Sequence, residues 1–421
     1  MNSAEVQPAL PSGMVPLTVD FEPKPAPPGW CWRLLTDLAR LESGHTPSRD
    51  HPEWWGGDIP WIALPDIRAL DGRIAFETSE CTNDLGIANS SARVLPAGTV
   101  VLSRTASVGF VTVMGRPMAT SQDFVNWVCG PYLDPDFLAL LLRASRGYIR
   151  DLSSGAVHKT VYVPTVKAFR VCVPNPENQR RIRKNSSGLL ETAAKMRIAA
   201  ETRSRAAKLL ASAYLRSVFD NPESRAWPPS RLGEVCELRP SKSIASDGDA
   251  EVIAITTACL SEGGFLPAGV KTACMRAIDA KECVVSAGEI LVARSNTAEL
   301  VGRAALFNDE VPGVVASDLT IRVWPGPRCH PSFLAGYLAY LYQTGYWIDR
   351  AGGASGSMKK ITRSQIEGLP IPLPPLDEQR AISARLSEQM ASVDRVCAAL
   401  KGELAAISKM PKAILDRAFS A

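Results

Sequence analysis

The chain says nearly the same thing twice, about 200 residues apart. Val173-Pro174-Asn175-Pro176-Glu177-Asn178-Gln179-Arg180-Arg181-Ile182 returns as Leu373-Pro374-Pro375-Leu376-Asp377-Glu378-Gln379-Arg380-Ala381-Ile382. Earlier matches extend the pattern. Arg33-Leu34 pairs with Arg231-Leu232, Leu102-Ser103-Arg104 with Val292-Ala293-Arg294, and Asp123 with Asp318. Phe137-Leu138-Ala139 pairs with Phe333-Leu334-Ala335, Ser154-Gly155 and Lys159 with Ser355-Gly356 and Lys360, and Phe219 with Phe419. The drifting offset fits small insertions in loops, which tolerate length change. A duplicated chain folds as two similar units, and this one suits a two-part target better than a single pocket.

Each copy ends in a long helix. Residues 177–219 hold no proline, and Asn221-Pro222 stops the run. The spacing predicts one helix of roughly 65 Å at 1.5 Å per residue. Its apolar stripe is Ile182, Leu189, Met196 and Leu210, with alanines between; the second stripe includes Ile382, Leu386, Val393, Val396, Leu400, Leu404 and Ile407. Two such helices pack on one another, antiparallel if the repeat has a pseudo-two-fold axis. Pro411 should kink or open the last turns of the second.

The expected fold class is α/β: two similar mixed α/β domains separated by two long antiparallel helices, a pseudo-two-fold internal repeat. Residues 1–29 read as a disordered Pro-rich tail, followed by a first domain at 30–176 and a first spacer helix at 177–220. A second domain at 221–375 and a second spacer helix at 376–421 complete the order. Gly98 to Leu102, Val111 to Met114, Phe124 to Val128 and Gly288 to Val292 read as buried strands. Asp134 to Arg150 and Pro331 to Asp349 read as amphipathic helices, each followed by a Ser/Gly-rich loop, the second being Gly352 to Ser357.

The net charge of +4 is unevenly spread: residues 177–220 hold ten Lys and Arg against four Asp and Glu. A basic helix favours a polyanion or an acidic partner. No 18-residue apolar run predicts a membrane span, and the N-terminus has no secretory pattern. The ten cysteines form no Cys-x-x-Cys pair and the four histidines do not cluster, so no metal site is expected and the thiols read as reduced core residues of a cytoplasmic protein. No phosphate loop, dinucleotide fingerprint, nucleophile elbow or zinc spacing occurs, so no catalytic residue is nominated.

If the target is a polyanion such as DNA, the candidates to contact it sit where buried strands end and turns begin. They are Arg104 and Thr105, Arg294, Ser295 and Asn296, with Ser121 and Gln122 in the turn before the next strand. Arg grips guanine with two bonds, and Asn does so for adenine. Lys159, Lys359 and Lys360, beside the Ser/Gly loops, suit phosphates. A second reading pairs Arg104 with Asp123 and Arg294 with Asp318 inside each domain. Trp54-Trp55 could pack on DNA but reads better as core.

Several segments resemble type I restriction-modification specificity subunits. They are Ser43-Gly44-His45-Thr46-Pro47-Ser48, Glu53-Trp54-Trp55-Gly56-Gly57-Asp58-Ile59-Pro60-Trp61-Ile62 and Gly86-Ile87-Ala88-Asn89-Ser90-Ser91-Ala92-Arg93-Val94-Leu95-Pro96-Ala97-Gly98-Thr99-Val100. The second domain lacks the Trp-Trp-Gly-Gly-Asp-Ile-Pro-Trp run, while its exit, Leu369-Pro370-Ile371-Pro372-Leu373-Pro374-Pro375-Leu376-Asp377-Glu378-Gln379-Arg380, is similar to that family's entry into its helices. The resemblance covers about residues 30–421. It implies a non-catalytic subunit that reads a bipartite, asymmetric site on double-stranded DNA, one half per domain, with the helices as a ruler for the gap. It also implies two methyltransferase subunits that methylate adenine, and restriction subunits that cleave. On this view S-adenosylmethionine, ATP and Mg belong to the partners, and this chain binds no cofactor. The helix residues Leu189, Met196, Leu210, Leu386, Val393, Leu400 and Leu404 are then the candidates for partner binding. A duplicated coiled-coil adaptor that binds proteins, and a chain that is itself a methyltransferase or nuclease, are the other readings.

Overall fold

In the computed structural model, residues 10, 14–21, 23–155, 159–244, 248–353 and 358–419 are described. The chain divides into two compact units: Met1–Ala199 with Leu404–Ala421, and Ala200–Glu403. Each unit therefore holds one globular domain, the start of the helix leaving it, and the end of the other long helix.

The two domains share a ladder. In the first, the strand order is Ala39–Ser43, Phe124–Cys129, Val100–Ser103, Val111–Met114 and Ile74–Ala75. In the second it is Cys236–Arg239, Thr320–Pro325, Ile290–Ala293 and Ala304–Leu306. Val100–Ser103, Val111–Met114 and Ile290–Ala293 are buried at every position, which is why they are dominated by apolar residues with no polar alternation. Gly98 at φ +81° and Gly288 at φ +92° make the turns into the central strands, a conformation open to glycine. A parallel pair also recurs: Trp61 and Ile62 beside Ala119 and Thr120, and Ala254 and Ile255 beside Val315 and Ala316.

Helix α1, Pro135–Ala144, lays Phe137, Leu138, Leu141 and Leu142 against the first sheet, with Asp134 accepting the Phe137 amide as cap. It is shorter than the sequence suggested, because Ser145 breaks the geometry and Arg146–Asp151 forms a separate short helix. Its counterpart, helix α2 (Pro331–Gln343), also stops early, since Gly345 at φ +74° ends the turn.

The stretch expected to be a disordered tail does not remain one throughout. Leu10 and Leu17 are buried in the first core, and Leu17–Thr18 pairs with Arg170 and Val171. The reason lies outside its composition: the strand Arg170–Pro174 has an edge, which Leu17–Thr18 covers, and the Leu10 amide donates to Phe419 O at 2.8 Å.

Helices α3 (Pro176–Phe219) and α4 (Leu376–Phe419) are 44 residues each. Their repeated opening motif is a latch. Gln179 accepts the Asp134 amide at 2.9 Å and donates to the carbonyls of Tyr132 (3.1 Å) and Pro174 (2.9 Å). Gln379 accepts the His330 amide at 2.8 Å and donates to Arg328 (3.0 Å) and Pro374 (2.8 Å). A buried side-chain amide thus ties each long helix to the start of its domain's own helix. Gln379→Leu should cost roughly 3 kcal/mol in urea unfolding, because it orphans a buried amide and carbonyls. A change below about 1 kcal/mol would contradict the latch.

The far ends are anchored by aromatics. Phe419 sits 5.6 Å from Phe137 and 6.5 Å from Trp30 in the first unit. Phe219 sits 5.5 Å from Phe333 and 5.4 Å from Tyr337 in the second. Within each unit one long helix leaves the domain and the other returns to it, so they run antiparallel. Helix α4 continues through Pro411, where its last turns were expected to kink or open.

The packing face of α3 corrects the sequence reading. Between its anchored ends the buried positions are Ser186, Ala193, Ala200 and Ala207, at sevenfold spacing, whereas Leu189, Met196 and Leu210 are 53%, 40% and 44% exposed. Alanines let helices approach closely, and a large apolar side chain need not be the one that packs. Along the middle of α4 the buried positions are Leu386, Val393, Leu400 and Ile407; Leu404 is half-buried and Val396 exposed. Arg203 Nη2 donates to Glu403 Oε1 at 2.6 Å, which fixes the local register in the second unit. No helix among the described residues is long and apolar enough to cross a membrane.

Candidate nucleic-acid interface

The candidate residues gather at one corner in each domain. In the first, strand Val100–Ser103 delivers Arg104, whose amide donates to Asp123 O at 2.9 Å and whose carbonyl accepts the Val161 amide at 2.9 Å. Thr105 then bridges Thr160, and the Ala106 amide donates to Lys159 O at 3.2 Å. Ala106 has φ +56°, a strained conformation for a residue with a Cβ, held by these neighbours. Arg104 Nη2 donates to Gln122 O at 2.8 Å, and Thr46 donates its hydroxyl hydrogen to Gln122 Oε1. Gln122 and Lys159 are exposed at this corner.

The second corner repeats the plan. The Arg294 amide donates to Leu319 O at 2.9 Å, and its carbonyl accepts from Ile361 at 2.8 Å. Arg294 Nη1 donates to Asp318 O at 3.3 Å. Ser295 and Asn296 form a two-residue ladder with Lys360 and Lys359. Asp318 Oδ2 accepts from Ser243 Oγ at 2.9 Å.

The arginines do not form the internal ion pairs of the second reading. Each guanidinium reaches a backbone carbonyl of the turn, while Asp123 accepts from Ser121 (2.9 Å) and Asp318 from Ser243 (2.9 Å). These hydrogen bonds also correct the alignment by one residue in two places. Arg104 reaches Gln122 and Arg294 reaches Asp318, so Gln122 is the structural equivalent of Asp318. Thr105 pairs with Thr160 and Ser295 with Lys360, so Lys159 is equivalent to Lys359.

Two candidates do not face outward. Ser121 and Ser295 are 2% and 6% exposed, because each sits where the chain turns back into the sheet. Thr105, Arg104, Arg294, Asn296 and Lys359 are half-buried, and Lys360 is exposed. Of the Ser/Gly-rich loop at 352–357, residues 354–357 lie outside the described residues, including Ser355 and Gly356. Residues that sequence reasoning gave no role are Thr46 and Ser243, which would have emerged only from aligning hydroxyls across the repeat.

Around the first corner, Trp55 packs with Trp61 at 4.8 Å, and Trp54 stacks on His51 at 4.1 Å. The Arg49 guanidinium lies 3.8 Å from the centre of the Trp55 ring and donates to both oxygens of Glu80 at 2.8 Å. Arg49 holds the Glu80 carboxyl below its ordinary range, mainly through that hydrogen bond. Among the described residues no group of three or more His, Cys, Asp or Glu is placed to hold a metal ion.

A family model described as the type I restriction modification DNA specificity domain matches residues 27–192 and 225–403. The MjaIX type I restriction enzyme specificity subunit of Methanocaldococcus jannaschii is 28% identical over 158 residues, 37% of each chain. The HindI type I restriction enzyme specificity subunit of Haemophilus influenzae is 30% identical over 178 residues, 41% of this chain and 38% of the relative. The chain thus aligns with less than two fifths of the length of these relatives. A solved chain from work on complex assembly and conformational transition of the type I R-M system superposes with a TM-score of 0.73 at 22% identity, over 95% of this chain and all of that one. The HsdS subunit of Thermoanaerobacter tengcongensis gives 0.57 at 22%, over 93% and 97%. These two likenesses establish the fold.

Proposed function

The chain belongs to the type I restriction-modification DNA specificity family, and from that premise we propose that it selects a bipartite, asymmetric site on double-stranded DNA for its complex. The observation that carries this is the duplicated corner: Arg104 with Lys159 in one domain, and Arg294 with Lys359 and Lys360 in the other, on the same ladder. Lysines contact phosphates, and the polar side chains beside them read base edges. The chain does no chemistry itself. Two methyltransferase subunits supply S-adenosylmethionine chemistry on adenine, and restriction subunits supply ATP- and Mg-dependent cleavage, in the cytoplasm.

The recognition domains are residues 30–176 and 221–375, and the helices at 177–220 and 376–421 set the gap between half-sites. Leu386, Val393 and Leu400 close the helix pair, and Leu404 flanks them. The exposed Leu189, Met196 and Leu210 offer apolar surface to a methyltransferase subunit. The test is duplex binding by the purified chain between about 50 and 200 mM salt, where phosphate contacts make affinity fall steeply. Lys159→Glu with Lys360→Glu should weaken binding to all sequences alike and flatten the salt dependence. No binding at low salt would return the protein-binding adaptor to the front.

A further inference from the structure

We propose that Gln122 and Asp318 are the equivalent base-reading positions of the two domains, and that their different chemistry makes the two half-sites different. The inference rests on the DNA-recognition reading above. The two corners are built alike: an arginine guanidinium reaches the turn carbonyl, and a hydroxyl, Thr46 or Ser243, fixes the side chain at the turn position. What recurs in both halves does common work, so Arg104 and Arg294 are positioning residues that hold the turn. What differs at an equivalent position can discriminate.

The difference is between an amide and a carboxylate. Gln122 is exposed, and with Thr46 bound to its Oε1 it keeps two N–H donors and one oxygen lone pair, the pattern that matches N7 and the N6 amino group of adenine. Asp318 is half-buried and acceptor-only; Ser243 occupies Oδ2, and Oδ1 is left to accept, which matches the N4 amino group of cytosine. A carboxylate at a DNA-facing corner repels phosphates, so its place there is explained by a donor on a base.

Isosteric exchange tests this with both variants kept foldable. Asp318→Asn keeps an oxygen for Ser243 and adds donors; Gln122→Glu removes them. The probe is N6-methyladenine sequencing of the native host, carrying each variant in place of the original chain. Asp318→Asn should change one position of one half-site from cytosine towards adenine by about tenfold or more. Gln122→Glu should make the opposite change in the other half-site, with the gap unaltered. A motif unchanged in both variants, or altered in both half-sites by one variant, overturns the assignment. If removing the whole chain abolishes no motif, the underlying recognition reading fails instead.

Discussion

Glu289→Leu is expected to destabilise the second domain by about 3–5 kcal/mol, the cost of leaving a buried charge without its partner. Arg322 is 1% exposed, and all five of its donors are engaged. Nε and Nη2 donate to Glu289 at 2.8 and 2.7 Å, Nη1 to Pro240 O and Glu282 O at 2.9 Å each, and Nη2 to Val284 O at 2.6 Å. Glu289, fully buried, also accepts from Arg239 at 2.9 Å. Removing the carboxylate strands a guanidinium that no water reaches. The double variant Arg322→Met with Glu289→Leu should recover much of the loss, because a buried ion pair replaced by apolar groups of similar size is often near neutral. Urea unfolding of the full chain measures both. A single variant within about 1 kcal/mol of the parent would contradict the account. The first domain has Asn126 at the equivalent ladder position, donating to Thr120 Oγ1 at 2.9 Å, so the effect should be confined to one half.

The second large effect concerns the gap. Deleting residues 200–206 together with 400–406 removes one buried position from each stripe, Ala200 and Leu400, and both partners of the Arg203–Glu403 ion pair. The sevenfold spacing is preserved, so Ala193 and Ala207 on one helix, and Val393 and Ile407 on the other, stay in phase. Seven residues of helix are about 10 Å, or about three base pairs of DNA. The methylated motif should keep both half-site sequences and lose about three base pairs from its gap. An unchanged gap would show that the helices do not set the spacing.

Much of this was legible in the sequence, and the failures have physical causes. Val100–Ser103 and Ile290–Ala293 were readable because total burial leaves Val100-Val101-Leu102 and Ile290-Leu291-Val292-Ala293 apolar without alternation. The helices were readable from their length and the Asn221-Pro222 stop. Gln179 and Gln379 were visible as a repeat, but their latch role depends on carbonyls some 50 residues upstream that only folding brings near. The packing face of α3 was misread because ranking side chains by apolar size favours Leu189 and Met196 over Ala193 and Ala200. The N-terminal segment was misread because prolines signal disorder, while Leu17 is buried against a sheet edge more than 140 residues away and Leu10 at the end of α4, where its amide donates to Phe419 O. At the candidate site, matching Asp123 to Asp318 satisfied residue identity, but the ladder puts Gln122 there. That one-residue slip hid the chemical difference between the corners.

The most direct measurement is single-molecule sequencing for N6-methyladenine on native host DNA, with and without this chain. The account predicts a bipartite motif with a fixed gap and unequal halves that disappears when the chain is removed. A methylation pattern identical in both strains would contradict it.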